Sequence, residues 1–140
     1  HPGFDKSLIE ILMVPTKIYS KEIKFLKSTG SLNAVANITG GGLLENVSRV
    51  LPNELQANID PSTWDVPEIF KFLEKEGPVE RREMFRTFNM GIGMVVILDK
   101  EIYENAIQDF DSNNIEYSII GEIVESKGSD EKVIINGINS

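Results

Sequence analysis

The sequence feature that most constrains the fold is a strand-like segment that leads through three consecutive glycines into a helix-like segment. Gly40, Gly41 and Gly42 carry no Cβ, so the backbone there can adopt positive φ and approach a ligand closely. The residues before them are small or β-branched and favour a buried strand, namely Ala34, Val35, Ala36 and Ile38. Apolar residues then recur at helical spacing as far as Pro52, which ends the predicted helix.

This glycine turn is a candidate phosphate site. The first N–H groups of a helix have no partner within the helix, and the helix dipole places positive charge at the same end. Neither the Lys-Ser/Thr pair of a P-loop nor the GxGxxG spacing is present, so no common nucleotide motif is identified. From the glycines alone, a phosphate site and a simple tight connection are equally good interpretations.

Composition narrows the function classes. A length of 140 residues predicts a single domain over residues 1–140. The net charge of −8 argues against nucleic acid and against an anionic membrane as partners. The chain has no cysteine and only His1 as histidine, so no metal site of thiolate or imidazole ligands is predicted. No apolar run approaches the roughly 18 residues that span a membrane, and a cytoplasmic protein is expected.

Apolar periodicity predicts helices along the whole chain. The predicted helices are residues 7–14, residues 21–27 with Ser20 as N-cap and Gly30 as terminator, residues 67–77 beginning at Pro67, residues 79–88, and an amphipathic helix capped by Asp99. Trp64 is the only tryptophan, and it is expected to anchor the core.

Four further patterns concern strands. Residues 55–59 alternate apolar and polar residues, and the apolar run of residues 94–98 predicts a central strand that is buried on both faces. Residues 115–124 and 132–135 also have strand patterns, with a turn over residues 127–130 between them. These last two strands are therefore expected to form a hairpin, so a purely parallel sheet is not expected.

A second glycine-rich stretch precedes the apolar run, over residues 88–94. From the residues alone, its two glycines are best interpreted as positions where the chain passes close to a neighbour. Lys17 and Tyr19 lie further upstream. From the residues alone, they are interpreted as surface and packing residues.

Three segments together resemble the family of phosphoribosylformylglycinamidine cyclo-ligases, also called AIR synthetases. The glycine turn and its helix carry the motif Thr39-Gly-Gly-Gly-Leu-Leu-Glu-Asn-Val-Ser-Arg-Val-Leu-Pro52. A Pro-Thr-basic-Ile-Tyr element lies upstream at residues 15–19, and Glu83-Met-Phe-Arg-Thr-Phe-Asn-Met-Gly-Ile-Gly-Met94 lies downstream. The similarity covers nearly all of the chain and corresponds to the C-terminal domain of the family, without its N-terminal ATP-binding domain.

This resemblance implies an α+β fold, with three α/β/α layers around a mixed β-sheet. It also implies the ATP-dependent cyclisation of formylglycinamidine ribonucleotide to aminoimidazole ribonucleotide in purine biosynthesis. ATP and Mg²⁺ would be bound mainly by the missing N-terminal domain, so this fragment would need neither and would be inactive alone. The implied partners are a phosphorylated small-molecule substrate, the chain's own N-terminal domain and a second copy of the full enzyme.

The resemblance also implies a set of site residues. Those expected to bind phosphate or substrate are Thr39, Gly40, Gly41, Gly42, Asn46 and Arg49. Those expected to line the groove between the two domains are Asn37, Arg86, Asn89 and Gly91. Arg49 either reaches the bound anion or only pairs with Glu45 four residues earlier.

One position departs from the family pattern. Asn37 stands where the family usually has a histidine, and an amide can hydrogen-bond but cannot transfer a proton near neutral pH. No catalytic residue is therefore assigned. Two alternatives stay open besides a purely structural role for the glycines: a domain of another ATP-dependent enzyme of the same superfamily, such as selenophosphate synthetase, thiamine-phosphate kinase or formylglycinamidine synthetase, and a stand-alone phosphometabolite-binding module.

Overall fold

The structure is a computed structural model that describes residues 4–30, 32–126, 128 and 130–138. Its helices are α1 Leu8–Leu12, α2 Ser20–Thr29, α3 Gly42–Val50, α4 Glu68–Glu76, α5 Arg81–Thr87 and α6 Tyr103–Ser112. Its strands are β1 Leu32–Asn37, β2 Leu55–Ile59, β3 Met94–Leu98, β4 Gly121–Glu125 and β5 Val133–Ile135. A single 3-10 turn at Pro61–Thr63 follows β2.

The strands form two hydrogen-bonded groups. β1 pairs with β3 in an antiparallel ladder, in which Asn37 lies opposite Met94. β2 is the centre of a three-stranded mixed sheet, antiparallel to β4 and parallel to β5. Helices and strands are interspersed along the chain, and β2 has one antiparallel and one parallel neighbour, which confirms the predicted α+β class and the mixed sheet.

The predicted hairpin of the last two strands is wrong. β4 and β5 lie on opposite edges of β2, so that Ala57 has Ile123 on one side and Val133 on the other. The alternating pattern identifies both strands, but it contains no information about which neighbour each strand pairs with. The turn predicted between them includes Lys127 and Ser129, which lie outside the described residues.

The predicted strand over residues 115–124 is also too long, because regular pairing begins only at Gly121. A Cβ on Gly121 would lie 2.0 Å from the carbonyl oxygen of Asn58, so the close approach to β2 requires a glycine. Similarly, β3 is not a central strand. Among the described strands it pairs with β1 alone, and of its five residues only Val95 is buried.

Two predicted helix starts need correction. Tyr19 is the N-cap of α2 and makes no side-chain capping bond, whereas Gly30 ends the helix in the left-handed region as predicted, with a φ of 72°. α6 begins only at Tyr103, because the chain first forms a turn in which Ile102 N–H donates to the carbonyl of Asp99. A cap at Asp99 would require helical geometry directly after it.

The core lies between α3, α5 and both groups of strands. Its most buried side chains come from α3, α5, β5 and the loop before β3, namely Leu43, Val47, Met84, Phe85, Met90 and Ile135. Trp64 packs against this cluster, and its indole N–H donates to the carbonyl of Met90 at 3.0 Å, so the predicted anchoring role is confirmed. The glycine turn therefore begins the helix around which the core is built. None of the described helices combines the length and apolarity that a membrane span requires.

Candidate functional site

The glycine turn joins β1 to α3 with two residues in the left-handed region. Gly41 is the N-cap of α3, with a φ of 96°, and Gly42 follows as the first helical residue, with a φ of 55°. A Cβ on Gly42 would lie 2.1 Å from the carbonyl oxygen of Phe85, so α5 can pack here only against a glycine. By contrast, a Cβ on Gly40 would meet nothing within 4 Å. The turn is thus closely packed on its α5 side and open at Thr39 and Gly40, which are both exposed.

Asn46 fixes the shape of this turn from inside. Its side chain is buried, and Nδ2 donates to the carbonyl oxygens of Gly42 at 2.8 Å, Gly40 at 3.2 Å and Thr39 at 3.3 Å. Since these bonds occupy the amide N–H groups, Asn46 orients the glycine turn. Its Oδ1 accepts a bond from Arg49 Nη1 at 3.3 Å, which links the turn to the basic residues beside it.

Two arginines converge on one carboxylate at the start of α3. Arg49 Nη2 lies 3.1 Å from Glu45 Oε2, and Arg86 Nε, which comes from α5, lies 3.6 Å from Glu45 Oε1. Arg86 also donates to Glu83 at 3.3 Å. The hydrogen bond to Glu83 raises the pKa of Arg86, and the charges of Glu83 and Glu45 raise it further. These side chains are about half exposed, so their ion pairs can rearrange at little cost in free energy.

The carboxylate of Glu45 also lies over the turn itself. A Cβ on Gly41 would be 2.6 Å from Glu45 Oε2, so only a glycine allows this side chain to fold back over the helix start. An anionic group therefore already occupies the positive end of α3, between two arginines. The Glu45–Arg49 spacing predicts the first pair, but the contact with Arg86 depends on the packing of α5 against α3.

The second motif forms its own turn between α5 and β3. Asn89 Oδ1 accepts a bond from Gly91 N–H at 3.0 Å, and a Cβ on Gly91 would lie 2.6 Å from Pro67 Cδ. Ile38 N–H donates to the carbonyl of Gly93 at 3.0 Å, which holds this motif directly beside the end of β1. Asn37 is exposed at this same end. The first and second motifs are therefore neighbours, although they are far apart in sequence.

One contact of the upstream element was not predictable from sequence. The hydroxyl of Tyr19 packs onto the backbone of Gly93, where a Cβ would lie only 2.1 Å from it. Sequence spacing contains no signal for this contact, because it joins residues that are far apart in the chain. Among the described residues, no group of three or more histidine, aspartate or glutamate side chains is placed to hold a metal ion.

Comparison with known structures identifies the class of fold. The crystal structure of the hydrogenase maturation protein HypE from E. coli matches with a TM-score of 0.62 and 17% sequence identity, over 94% of this chain and 41% of that one. At this identity the match shows a shared fold alone. The family model "AIR synthase related protein, C-terminal domain" matches residues 2–134. The chain therefore belongs to the AIR synthase related family, as a C-terminal domain of that family.

Comparison with relatives of higher sequence identity is more informative than the match of the fold. The chain is 47% identical over 133 residues to the phosphoribosylformylglycinamidine cyclo-ligase of Geotalea daltonii, which covers 94% of this chain and 38% of the relative. It is 46% identical to the cyclo-ligase of Caldanaerobacter subterraneus, over 91% of this chain and 38% of the relative. It is 44% identical to the trifunctional purine biosynthetic protein adenosine-3 of Bos taurus, over 89% of this chain and 12% of the relative. The predicted resemblance is thus confirmed, and the chain spans about 38% of the length of the bacterial cyclo-ligases.

Proposed function

We propose that this chain is the C-terminal domain of a phosphoribosylformylglycinamidine cyclo-ligase and acts in purine biosynthesis, cyclising formylglycinamidine ribonucleotide with ATP. The observation that carries this proposal is its 47% identity to such an enzyme over 94% of its length. Since the chain spans 38% of that relative, the 140 residues alone would be inactive. An N-terminal domain, in the part of the relative that this chain does not span, would hold most of the contacts to ATP and Mg²⁺.

The glycine turn is our candidate seat for a phosphate of the substrate. It presents the exposed backbone of Thr39 and Gly40 at the N-terminus of the nine-residue helix α3. Arg49 and Arg86 lie beside it, and both now pair with Glu45. A phosphate would compete with this one carboxylate for both arginines, and it would bring at least as much negative charge.

The described residues would bind and position the substrate rather than act as nucleophiles. In the proposed reaction, ATP activates the formamide oxygen as a phosphate ester, the amidine nitrogen attacks the same carbon, and phosphate leaves. Such a step needs charge neutralisation and alignment of the reacting atoms. Asn37 and Asn89 lie at adjoining ends of the two motifs, where amide groups can orient a polar substrate by donating and accepting hydrogen bonds.

The N-terminal domain is also our candidate partner for an exposed apolar segment, residues 9–18. Its large side chains remain open to solvent, with exposed fractions of 74% for Ile9, 63% for Leu12 and 81% for Ile18. An apolar surface of this kind favours association. We further propose that the complete enzyme is a cytoplasmic homodimer.

Two measurements test these proposals. The first mixes this chain with the N-terminal domain of the Geotalea daltonii relative, supplies formylglycinamidine ribonucleotide and ATP, and follows phosphate release. We expect release that requires both parts. Saturable substrate binding without release, with the N-terminal domain folded, would instead favour a stand-alone phosphometabolite-binding module.

The second measurement titrates the ¹⁵N-labelled chain with formylglycinamidine ribonucleotide, ATP and inorganic phosphate. We expect saturable shifts of the Gly40, Gly41 and Gly42 amides with the substrate. Arg86→Gln should weaken this binding, whereas Arg82→Gln, on the same helix and paired with Glu131, should not. Equal weakening by both variants would contradict a direct role for Arg86.

A further inference from the structure

The turn between α5 and β3, residues 89–93, contains a side chain in an unusual backbone conformation. Met90 has a φ of 51°, in the left-handed region that residues with a side chain rarely adopt. Its side chain is packed into the core, with an exposed fraction of 1%. Gly91 follows with a φ of 97°. Strain of this kind persists only where the surrounding structure fixes the backbone, and it is typical of functional segments.

Trp64 contacts this turn from a distant segment of the chain. Its indole N–H donates to the carbonyl of Met90 at 3.0 Å, and its ring packs edge-on against Phe85 of α5, with ring centres 6.5 Å apart. Three residues after Trp64, Pro67 lies against Gly91, where a Cβ would be 2.6 Å from the Cδ of the proline. The segment of residues 64–67 therefore holds both left-handed residues of the turn.

Hydrogen bonds connect these two residues to the rest of the turn. Ile92 N–H donates to the carbonyl of Asn89 at 2.9 Å, and Ile38 N–H, just after β1, donates to the carbonyl of Gly93 at 3.0 Å. Asn89 is half-buried, and its Oδ1 accepts a bond from Gly91 N–H at 3.0 Å. Because the oxygen of this amide is used inside the turn, a ligand would meet the Nδ2 donors of Asn89.

From these contacts we propose that Trp64 is a positioning residue for the reaction. It holds residues 89–93 in their strained conformation, and this conformation aims the Asn89 amide at the substrate. The inference rests on the proposed function, in which Asn89 orients a polar substrate. A residue that only filled the core would need an aromatic ring but not the indole N–H, so phenylalanine could replace it without loss.

The first test is Trp64→Phe in the ligand-free ¹⁵N-labelled chain, because this change keeps a ring and removes the indole N–H. We expect the amide of Ile92 to exchange with solvent roughly tenfold faster, which is the effect of losing about one hydrogen bond. The amide of Gly42, which donates to the carbonyl of Thr39 at 3.0 Å, should keep its rate. Leu73→Val is the matched control, since it alters another partly buried side chain of the same core on α4 and should change neither rate.

The second test compares two ligands. Formylglycinamidine ribonucleotide should bind roughly fivefold more weakly to Trp64→Phe, whereas inorganic phosphate, which would contact only the glycine turn, should bind equally well. In an Asn89→Ala background, Trp64→Phe should weaken substrate binding no further, because Trp64 acts through Asn89. In the unaltered chain, the indole N–H resonance of Trp64, the only tryptophan, should shift with the substrate and not with phosphate.

Several outcomes would overturn the proposal. An unchanged exchange rate of Ile92 in Trp64→Phe would show that the indole bond does not hold the turn. Equal acceleration of Ile92 and Gly42, or equal weakening of both ligands, would reduce Trp64 to a core anchor. Faster exchange of Ile92 with unchanged substrate affinity would remove the role in binding. Failure of the substrate to bind the unaltered chain would contradict the proposed function itself, and the role of Trp64 in binding with it, whatever the exchange rates are.

Discussion

The start of α3 and the N-terminal segment of residues 9–18 are similarly apolar, yet they have opposite environments. Leu43 and Phe85, at the start of α3 and on α5, are fully buried with exposed fractions of 0%. Ile9 and Ile18 in the N-terminal segment are exposed by 74% and 81%. Apolar residues therefore form a core only where another surface of the same chain can reach them.

The two regions differ in whether another element of the chain packs closely against them. Gly42 has no Cβ, so α5 can bring the carbonyl of Phe85 against the first turn of α3. α1 has no such contact and is defined by local bonds. Ser7 and Glu10 form a capping box in which each side chain accepts a hydrogen bond from the other residue's backbone N–H. One region is thus fixed by packing and the other by its own cap.

The substitution expected to destabilise the packed region most is Gly42→Ala. The new Cβ would collide with the Phe85 carbonyl, and the residue would keep a positive φ, so we expect a loss of about 3 kcal/mol or more in unfolding free energy. Gly40→Ala is the matched control, because a Cβ there meets nothing within 4 Å, and should change stability by less than about 1 kcal/mol. Urea denaturation measures both, and equal losses would contradict the assigned role of Gly42.

Asn46→Ala should cause a smaller loss of unfolding free energy. This change removes three hydrogen bonds to the carbonyls of the glycine turn, and we expect a cost of about 2 kcal/mol. Asn53→Ala, at an exposed position just before β2, provides the control. If the two variants unfold at the same urea concentration, Asn46 does not stabilise the turn.

A substitution in the N-terminal segment should change the unfolding free energy much less. Ile18→Ser removes a side chain that is 81% exposed, so the unfolding free energy of this chain should change by less than about 0.5 kcal/mol. Any self-association through the segment should weaken at the same time, which sedimentation velocity can measure. A loss above about 1 kcal/mol would show that the segment packs on the domain.

The smallest expected effect is the pH dependence of α1. Hydrogen bonds from the Ser7 hydroxyl and backbone N–H lower the pKa of Glu10 below its ordinary value of 4.5. A lowered pKa stabilises the folded helix above pH 4.5, and this contribution is lost as the pH falls through the folded pKa. Carboxyl NMR should show this titration, and Ser7→Ala should return the pKa of Glu10 toward 4.5. An unchanged pKa in that variant would contradict the capping box.

Much of the site could be predicted from sequence because its signals are local. The three glycines between a strand and a helix, and the Glu45–Arg49 pair, depend on residues within one turn of each other. The contacts of Asn46 are also local, but the sequence did not predict that its side chain donates to the carbonyls of the turn. The convergence of Arg86 on Glu45 and the contact of Tyr19 with Gly93 join distant segments, and no spacing rule encodes them.

The sequence alone determined the family, the helical and strand segments, and the glycine turn, since these depend on residue types and short-range periodicity. The tertiary structure alone decided that β4 and β5 flank β2 and that Trp64 donates to the turn before β3. Strand pairing joins any two compatible edges, so neighbours along the chain need not become neighbours in the sheet. The same is true of burial, because an apolar side chain leaves water only where the completed fold brings another surface to it.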